Sequence, residues 1–492
     1  MRFDDQNAVK EVLDIGVILA KEKDRTKVLE MIIDKGMKIS GCDAGTLYVY
    51  EDDMLHFKIM KTLSMGVDKG GNGEKIDLPP VQLKEGNVCA YAAIHKETVN
   101  IPNVRESDRF DFSGPIKYDA ITGYFTKSML VIPITNQEDE LIGVLQLINA
   151  LDDDGKVVAF QEEVEPVILS LSSQAAIVLT NLNYLEEMKT MMWSFTEAMA
   201  EAIDARTPYN GNHTRNVAKY SGMLADYINK MTAEGKDTEV FDENRRDQLV
   251  MGAFLHDIGK MIIPLNVMNK ADRLEERLFA IKDRFALMDA KYEIAGLKGN
   301  MSPEDVALKR EELKESLALV ERVNTAGFLD DDTFGQLENV LKLVYNDGTC
   351  EDIPYFTEEE KKCLRVRKGT LTSEERETME SHVVMTERIL SKVHFNKGFA
   401  NSPKWASEHH EMLDGSGYPR HLKADELKLE SRMLAVADIC DALLATDRPY
   451  KKPMPKEKAF AIMKSMAKEG KLEERLVNYM EECITLAENG KV

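Results

Sequence analysis

What the chain lacks narrows it first. Its six cysteines include no Cys-x-x-Cys pair, which argues against a zinc ribbon, and a chain of 492 residues needs no disulfide framework. Cys42, Cys89 and Cys440 stand among apolar residues and read as small buried hydrophobes. No apolar run approaches the ~18 residues that span a bilayer. The first residues, MRFDDQNAVKEV, carry no signal-peptide apolar region, so a cytoplasmic protein is expected. Positive charge is also scarce: 64 Lys and Arg stand against 86 Asp and Glu, a formal net charge of -22. Long nucleic acid, which requires clustered cations, is not an expected partner. A small phosphate ligand in a local basic or metal-lined pocket remains compatible with that balance.

A chain of this length forms two or more domains. Residues 8–40 have helical spacing, with Val9, Val12, Leu13, Ile15 and Ile18 on one stripe and Gly41 at its end. The pattern then changes. TLYVYEDDMLHFKIM alternates as strand, turn and strand, and KSMLVIPI and LIGVLQLINA are strand-like, joined by the polar TNQEDE. An α/β sensor-sized domain over 1–163 is expected. Next, apolar residues recur at Val164, Val167, Leu171, Ala175, Val178, Leu182, Leu185, Met188, Met192, Phe195 and Met199, every step being 3 or 4 residues. This is coiled-coil spacing. It predicts a signalling helix over 164–205 and a parallel homodimer through 164–199. Residues 206–492 are helical in pattern. Within them a charge-rich stretch, about 272–365, carries no cluster suited to catalysis and reads as an inserted helical hairpin with its tip near GLKGNMSP.

The chemistry concentrates in this last part. Residues 254–260 read FLHDIGK and 409–419 read HHEMLDGSGYP. Five of the nine histidines, His213, His256, His382, His409 and His410, fall in helical stretches rich in acids or turn signals. His256 and Asp257 are expected on a helix with Lys260 on the same side, placed for an anion. His213 starts a helix whose apolar face runs through Val217, Tyr220 and Leu224, so its ring is expected to point inward. AVADICDALLATDRPYKK sets Asp438 and Asp441 three residues apart on one face and delivers Arg448 and Lys451 at its end. Imidazoles and carboxylates without thiolates suit Fe, Mn or Zn. Two such cations ~3.5–4 Å apart clamp an in-line phosphoryl displacement, with a hydroxide between them as nucleophile. Gly415 and Gly417 permit a tight turn and Pro419 fixes its exit.

In this order, HDIGK, HHEMLDGSGYP and ADICDALLATDRPYK resemble the HD-GYP family, the cyclic di-GMP phosphodiesterase branch of the HD hydrolases. The resemblance covers roughly 195–271 and 366–490. It implies His213, His256, Asp257, His382, His409, His410 and Asp438 as metal ligands and Asp257 with Lys260 as catalytic residues. It also implies Lys260, Tyr418, Arg448 and Lys451 as substrate-binding groups. Glu411 and Asp441 are expected to orient ligand histidines. The position at which some members carry an additional Glu is Tyr209, so two divalent ions, Fe or Mn, are expected rather than three. The implied reaction opens a 3′–5′ phosphodiester of cyclic di-GMP to give pGpG, with GMP as the alternative end product. Two alternatives fit the same residues: a non-catalytic cyclic-dinucleotide receptor, and an HD phosphohydrolase acting on another nucleotide.

AITGYFTKSMLVIPITNQEDELIGVLQLIN and IPNVRESDRFD are similar to GAF domains of cyclic-nucleotide phosphodiesterases. Of the Asn-Lys, Phe and Asp pattern that accompanies nucleotide binding there, Asn149 and Phe160 are present, whereas Ala150 and Val164 replace Lys and Asp. A small-molecule effector at this half and a dimerisation module are both compatible. The expected fold is multidomain α+β: a GAF α/β sensor domain, a long coiled-coil-like linker helix, and an all-α HD-GYP domain over 206–492 with a helical insertion.

Overall fold

A computed structural model describes residues 16–19, 21–206, 211–346, 352–445 and 454–488. The chain divides into two compact units, one up to Met192 and one from Trp193 onward. Tyr209, Arg448 and Lys451 lie outside the described residues, as do Val9, Val12, Leu13 and Ile15.

The first unit is a mixed layer of sheet and helix. Helix α1 (Arg25–Ser40) starts where the Asp24 carboxylate accepts the Thr26 and Lys27 amides, and it ends at Gly41 in the left-handed region. Residues 16–19 are helical and residues 21–24 are not, so the expected helix over 8–40 is interrupted before Arg25; its part before residue 16 lies outside the described residues. Strands β1 (Cys42–Glu51), β2 (Met54–Thr62), β3 (Val67–Gly70), β4 (Val81–Gln82), β5 (Val99–Ile101), β6 (Met129–Thr135), β7 (Leu141–Leu151) and β8 (Val157–Val158) form one antiparallel sheet. Its order is β3-β2-β1-β7-β6-β5, with β4 on β2 and β8 on β7. Leu47 of β1 lies between Ile59 and Leu145 in register. Central strands buried on both faces lose the polar alternation of a one-sided sheet, which is why KSMLVIPI reads as continuously apolar. One face packs Val28, Ile32 and Ile33 of α1. The other is covered by helix α2 (Val88–His95) and by Phe110 and Phe112, which precede helix α3 (Ser113–Thr122).

Helix α4 (Glu165–Asp204) runs unbroken for 40 residues. The expected dimer seam does not begin at residue 164. Val164, Leu171 and Ala175, with Ile168 and Leu179, are buried in the first unit's own core beside α1 and β7. Spacing of 3.5 shows that a stripe is apolar but not what covers it. Leu185, Met188 and Phe195 of the same stripe are exposed.

The second unit is helical: α5 (His213–Ala233), α6 (Glu243–Leu255), α7 (Leu265–Met268), α8 (Arg277–Leu297), α9 (Pro303–Thr325), α10 (Asp331–Val340), α11 (Glu358–Leu364), α12 (Ser373–Leu390), α13 (Ser402–Ala406), α14 (Leu429–Leu444), α15 (Lys456–Lys468) and α16 (Glu474–Glu488). Val217, Leu224, Leu249, Leu434, Phe460 and Leu476 join α5, α6, α14, α15 and α16 in one core. The insertion is more than the expected hairpin. Helices α8 to α11 and a short strand pair, Val344–Tyr345 with Ile353–Pro354, enclose a separate core around Ile281, Phe285, Tyr292, Val320 and Phe356. Among the described residues no helix is long and apolar enough to cross a membrane.

Candidate metal centre

The His256–Asp257 pair lies at a helix end, not within a helix as its sequence context predicts. α6 stops at Leu255, and Asp257 opens a 3-10 turn over Ile258–Ile262. What breaks the helix is a neighbour. Gly259 packs so closely on α12 that an added Cβ would lie 1.9 Å from the His382 carbonyl oxygen. Thr386, one helical turn beyond His382, accepts the Gly259 amide at 3.0 Å and donates to the His256 carbonyl at 2.9 Å. The tight turn brings Lys260 back so that its Nζ sits 2.6 Å from Asp257 Oδ2. Thr386 was not singled out from sequence; its place four residues after His382, on the same helical face, is the signal that was there.

Five helices and loops then converge. His256, His382 and His409 share one device: each Nδ1 sits 2.6–2.7 Å from the carbonyl three residues back, on Ala253, Met379 and Ala406. A carbonyl only accepts, so the proton is on Nδ1 and each Nε2 carries a lone pair. Among the described residues, all three Nε2 atoms and Asp257 Oδ1 are buried and have no hydrogen-bond partner. They face one another. Asp257 Oδ1 is 3.4 Å from His382 Nε2 and 3.9 Å from His409 Nε2, and Oδ2 is 3.3 Å from His256 Nε2. His213 Nε2 is 3.5 Å from Asp257 Oδ2 and 3.3 Å from Asp438 Oδ1; His410 Nδ1 is 3.7 Å from Asp438 Oδ2. Buried lone pairs opposed at these distances are costly unless something positive lies between them. Ligands of one cation with bonds of ~2.0–2.2 Å stand about this far apart. Three overlapping triads, His256 with Asp257 and His409, His213 with His256 and Asp438, and His382 with His409 and His410, have ligand atoms within 4.8 Å of one another. The donor set fits divalent metal binding.

Protonation agrees. Burial pushes His382 down to about 4, pushes His409 well below the usual imidazole range and lowers His410. Burial alone would raise Asp257 and Asp438, but the surrounding His256, Lys260 and His213 hold Asp257 well below the usual carboxylate range, and His213 and His410 do the same for Asp438. Neutral imidazoles and ionised carboxylates are what a cation requires. His213 goes the other way: burial opposes its charge, yet Asp257, Asp438 and Asp441 draw it well upward. Three carboxylates around one ring mark a place that demands positive charge.

The supporting groups divide differently from expectation. Asp441 lies 2.7 Å from His213 Nδ1 and also accepts from Asn216 at 2.8 Å, so it orients a ligand ring. Glu411 orients no histidine. Its two oxygens accept the backbone amides of Arg420, at 2.7 Å, and Leu422, at 2.9 Å, so it braces the loop after Pro419. Adjacent residues in a turn diverge, and Glu411 follows the loop rather than the ligand pair. Gly417 is needed for close approach, since a Cβ there would meet Met412 N at 2.4 Å and the His410 carbonyl at 2.5 Å. That approach lays the half-buried Tyr418 ring 4.8 Å from the His410 ring.

The first unit holds a separate cavity of about 410 Å³ between the sheet and the segments around residues 78–89 and 111–118. Tyr48, Phe57, Cys89, Met129 and Gln146 line it. The charged residues on its wall are Lys61, paired with Asp34 at 2.8 Å, and Asp111, which caps the Ser113 amide at 2.9 Å. Gln146 accepts from the Tyr48 hydroxyl at 3.0 Å and directs its amide NH₂ to the Met129 sulfur at 3.1 Å. Asn149 fastens the loop before β6 by accepting the Lys127 and Ser128 amides and donating to the Phe125 carbonyl.

Known proteins match both units. A GAF-domain model matches residues 24–179, and HD-domain models match 210–316 and 361–476. A 3'3'-cGAMP-specific phosphodiesterase of Vibrio cholerae is 44% identical over 95 residues, 19% of this chain and 20% of that protein. A cyclic di-GMP phosphodiesterase of Thermotoga maritima is 42% identical over 115 residues, 22% of this chain and 28% of that protein. A probable cyclic di-GMP phosphodiesterase of Vibrio cholerae is 39% identical over 105 residues, 20% of this chain and 24% of that protein. The chain thus spans less than a third of the length of these curated relatives. It carries a GAF domain and an HD domain, and with its HDIGK, HHEMLDGSGYP and ADICDALLATDRPYK stretches it fits the HD-GYP family.

Proposed function

We propose that the chain hydrolyses a 3′–5′ phosphodiester of cyclic di-GMP, giving pGpG and then GMP, with two divalent ions, Fe or Mn. The ligands are His213, His256, Asp257, His382, His409, His410 and Asp438. The observation that carries this reading is the convergence of three buried Nε2 lone pairs on the Asp257 carboxylate, those of His382 and His409 on Oδ1 and that of His256 on Oδ2. The names of the matched relatives support the substrate class.

When bound, the ions supply Lewis acidity toward the phosphoryl oxygens and lower the pKa of water. The chain's own residues do the rest. Asp257, ionised and between the two groups of imidazoles, holds and orients the attacking water's proton. Lys260, 2.6 Å from Asp257, takes a non-bridging phosphate oxygen as charge builds. Tyr418 covers the His410 side and meets a guanine. Arg448 and Lys451 hold the remaining phosphate.

A 3'3'-cGAMP-specific relative favours one second reading, a mixed cyclic dinucleotide as substrate. The complete ligand set speaks against a receptor without catalysis. The GAF half regulates the centre. Among the described residues the cation on its cavity wall, Lys61, is paired with Asp34, and the lining of Tyr48, Phe57, Met129 and Gln146 suits a small, largely apolar effector. Exposed Leu185, Met188 and Phe195 pair two chains. Elemental analysis of anaerobically purified protein, with product identification on cyclic di-GMP and 3'3'-cGAMP, tests the proposal. Metal-loaded protein that turns over neither, or metal-depleted protein that keeps full activity, would end it.

A further inference from the structure

We propose that Arg206 is a positioning residue: it ties the end of α4 to the backbone of Lys260 and so sets where that ammonium stands. Arg206 lies two residues past the helix. Its Nη1 donates to the Lys260 carbonyl at 3.0 Å and to the Met261 carbonyl, and its Nη2 donates to the Ile263 carbonyl at 3.1 Å. These carbonyls belong to the last turn of the 3-10 segment and the residue after it; the Lys260 carbonyl also accepts the Ile263 amide, and Arg206 adds a side-chain donor to each of the three. The Met261 and Ile262 side chains are exposed, and besides Arg206 this end of the turn is held by buried Ile263, whose amide donates to the Lys260 carbonyl at 3.2 Å. The start of the turn is fixed by Thr386 and the close Gly259 contact; the finish is fixed by Arg206.

The helix end is itself anchored in the second unit. Ala200 and Ile203 are buried, Thr196 donates to Met251 of α6, and Trp193 packs edge-on to Phe254 at 6.2 Å. Asp204 accepts the Thr214 hydroxyl at 2.8 Å, both residues being buried. Thr214 follows His213. The last turns of α4 therefore reach two separate parts of the centre, the start of α5 beside His213 and the turn that carries Lys260. A guanidinium suits the task because it spreads several donors in one plane over neighbouring carbonyls, which an ammonium cannot. A displacement of the helix end therefore bears directly on the backbone of Lys260 as well as on the start of α5.

The role in turnover rests on the phosphodiesterase reading; the placement of Lys260 does not. The test uses the full chain with Arg206→Ala and Arg206→Lys. Acylation of Lys260 by an N-hydroxysuccinimide ester, read by peptide mass spectrometry, reports release of its ammonium. Hydrogen exchange at the Lys260 and Ile263 amides reports loosening of the turn. Arg206→Ala is expected to raise both by about tenfold, to keep the metal content, and to lower kcat more than it changes KM. Arg206→Lys is expected to recover part of each. Acylation and exchange equal to wild type in Arg206→Ala would overturn the proposal. So would a rise in exchange throughout the second unit that Arg206→Lys does not reduce, since that describes a fold-wide role. If wild type hydrolyses no dinucleotide, the phosphodiesterase reading fails while labelling still decides the placement of Lys260.

Discussion

Replacing Gly259 by alanine adds one methyl group, and the fold has no room for it. The Cβ would stand 1.9 Å from the His382 carbonyl oxygen and 2.6 Å from the Thr386 amide nitrogen. Both are backbone atoms of α12 and cannot swing aside as a side chain would. A tolerable contact needs over 3 Å, so α12 must retreat from the 3-10 turn by more than about 1 Å. That retreat stretches the two Thr386 hydrogen bonds, at 3.0 and 2.9 Å, each worth ~1 kcal/mol, and adds overpacking strain of ~1–3 kcal/mol. A loss of about 3–5 kcal/mol in unfolding free energy is expected. The functional effect is sharper, because His382 and His256 approach the same carboxylate from opposite sides of this contact. A 1 Å misplacement costs on the order of a hundredfold in turnover. Urea unfolding measures the first quantity; metal stoichiometry and initial rates measure the second. An alanine variant with wild-type stability and a full complement of metal would refute the claim that this contact ends α6 and places the His-Asp pair.

Thr386→Val keeps the side-chain shape but strands the buried Gly259 amide and His256 carbonyl; a loss of about 2–3 kcal/mol is expected by urea titration, and a loss under half that would mean that water or a relaxed turn replaces the hydroxyl. Asp441→Asn removes the negative partner of His213 Nδ1 and should weaken metal binding ~10–100-fold in competition with a chelator, while unchanged affinity would show that His213 needs no orienting group. Glu375→Gln breaks the pair of Glu375 with Lys270, whose side chain is fully buried and whose Nζ sits 2.6 Å from the carboxylate; about 3 kcal/mol is at stake. Burial opposes ionisation of Glu375, but Lys270 and the Thr372 amide hold its carboxyl below its ordinary value. A folded-state value below the unfolded ~4.3 means that the stabilisation is present above that pH and is lost as pH falls through the lower, folded-state value. Wild type and Glu375→Gln should therefore differ at pH 7 and converge in acid; a constant gap would assign the effect to packing.

The identity of the ligand residues was open to sequence reasoning because few arrangements explain a His-Asp pair, a His-His pair and carboxylates at helical spacing. Their orientation was not. Gly259 is the one weak helix-stop signal in FLHDIGK; the stop itself comes with α12 pressing on that glycine, a contact between segments more than a hundred residues apart. Glu411 misled for a similar reason, since adjacency to His410 says nothing about the direction of a side chain in a turn. The 3.5-residue stripe was correctly seen as apolar, yet its first half meets α1 and β7 of the same chain. The helix end at Gly41, whose cause is local, was read from sequence, whereas the equally local cap at Asp24 was passed over in favour of one helix from residue 8.

The insertion leaves and rejoins the HD core at one doorstep. The Thr370 hydroxyl donates to the Lys270 carbonyl at 3.1 Å, and Arg273 Nε donates to the Val366 carbonyl at 2.8 Å, so departure and return points touch. With its own apolar interior to sustain it, the detour taxes the rest of the molecule only with ring closure, and that cost grows with the logarithm of length. His382 thus stays as near to Asp257 as if the chain had taken the short road. A change in the length of this outgrowth therefore falls on its far end, away from the two points at which it meets the HD core.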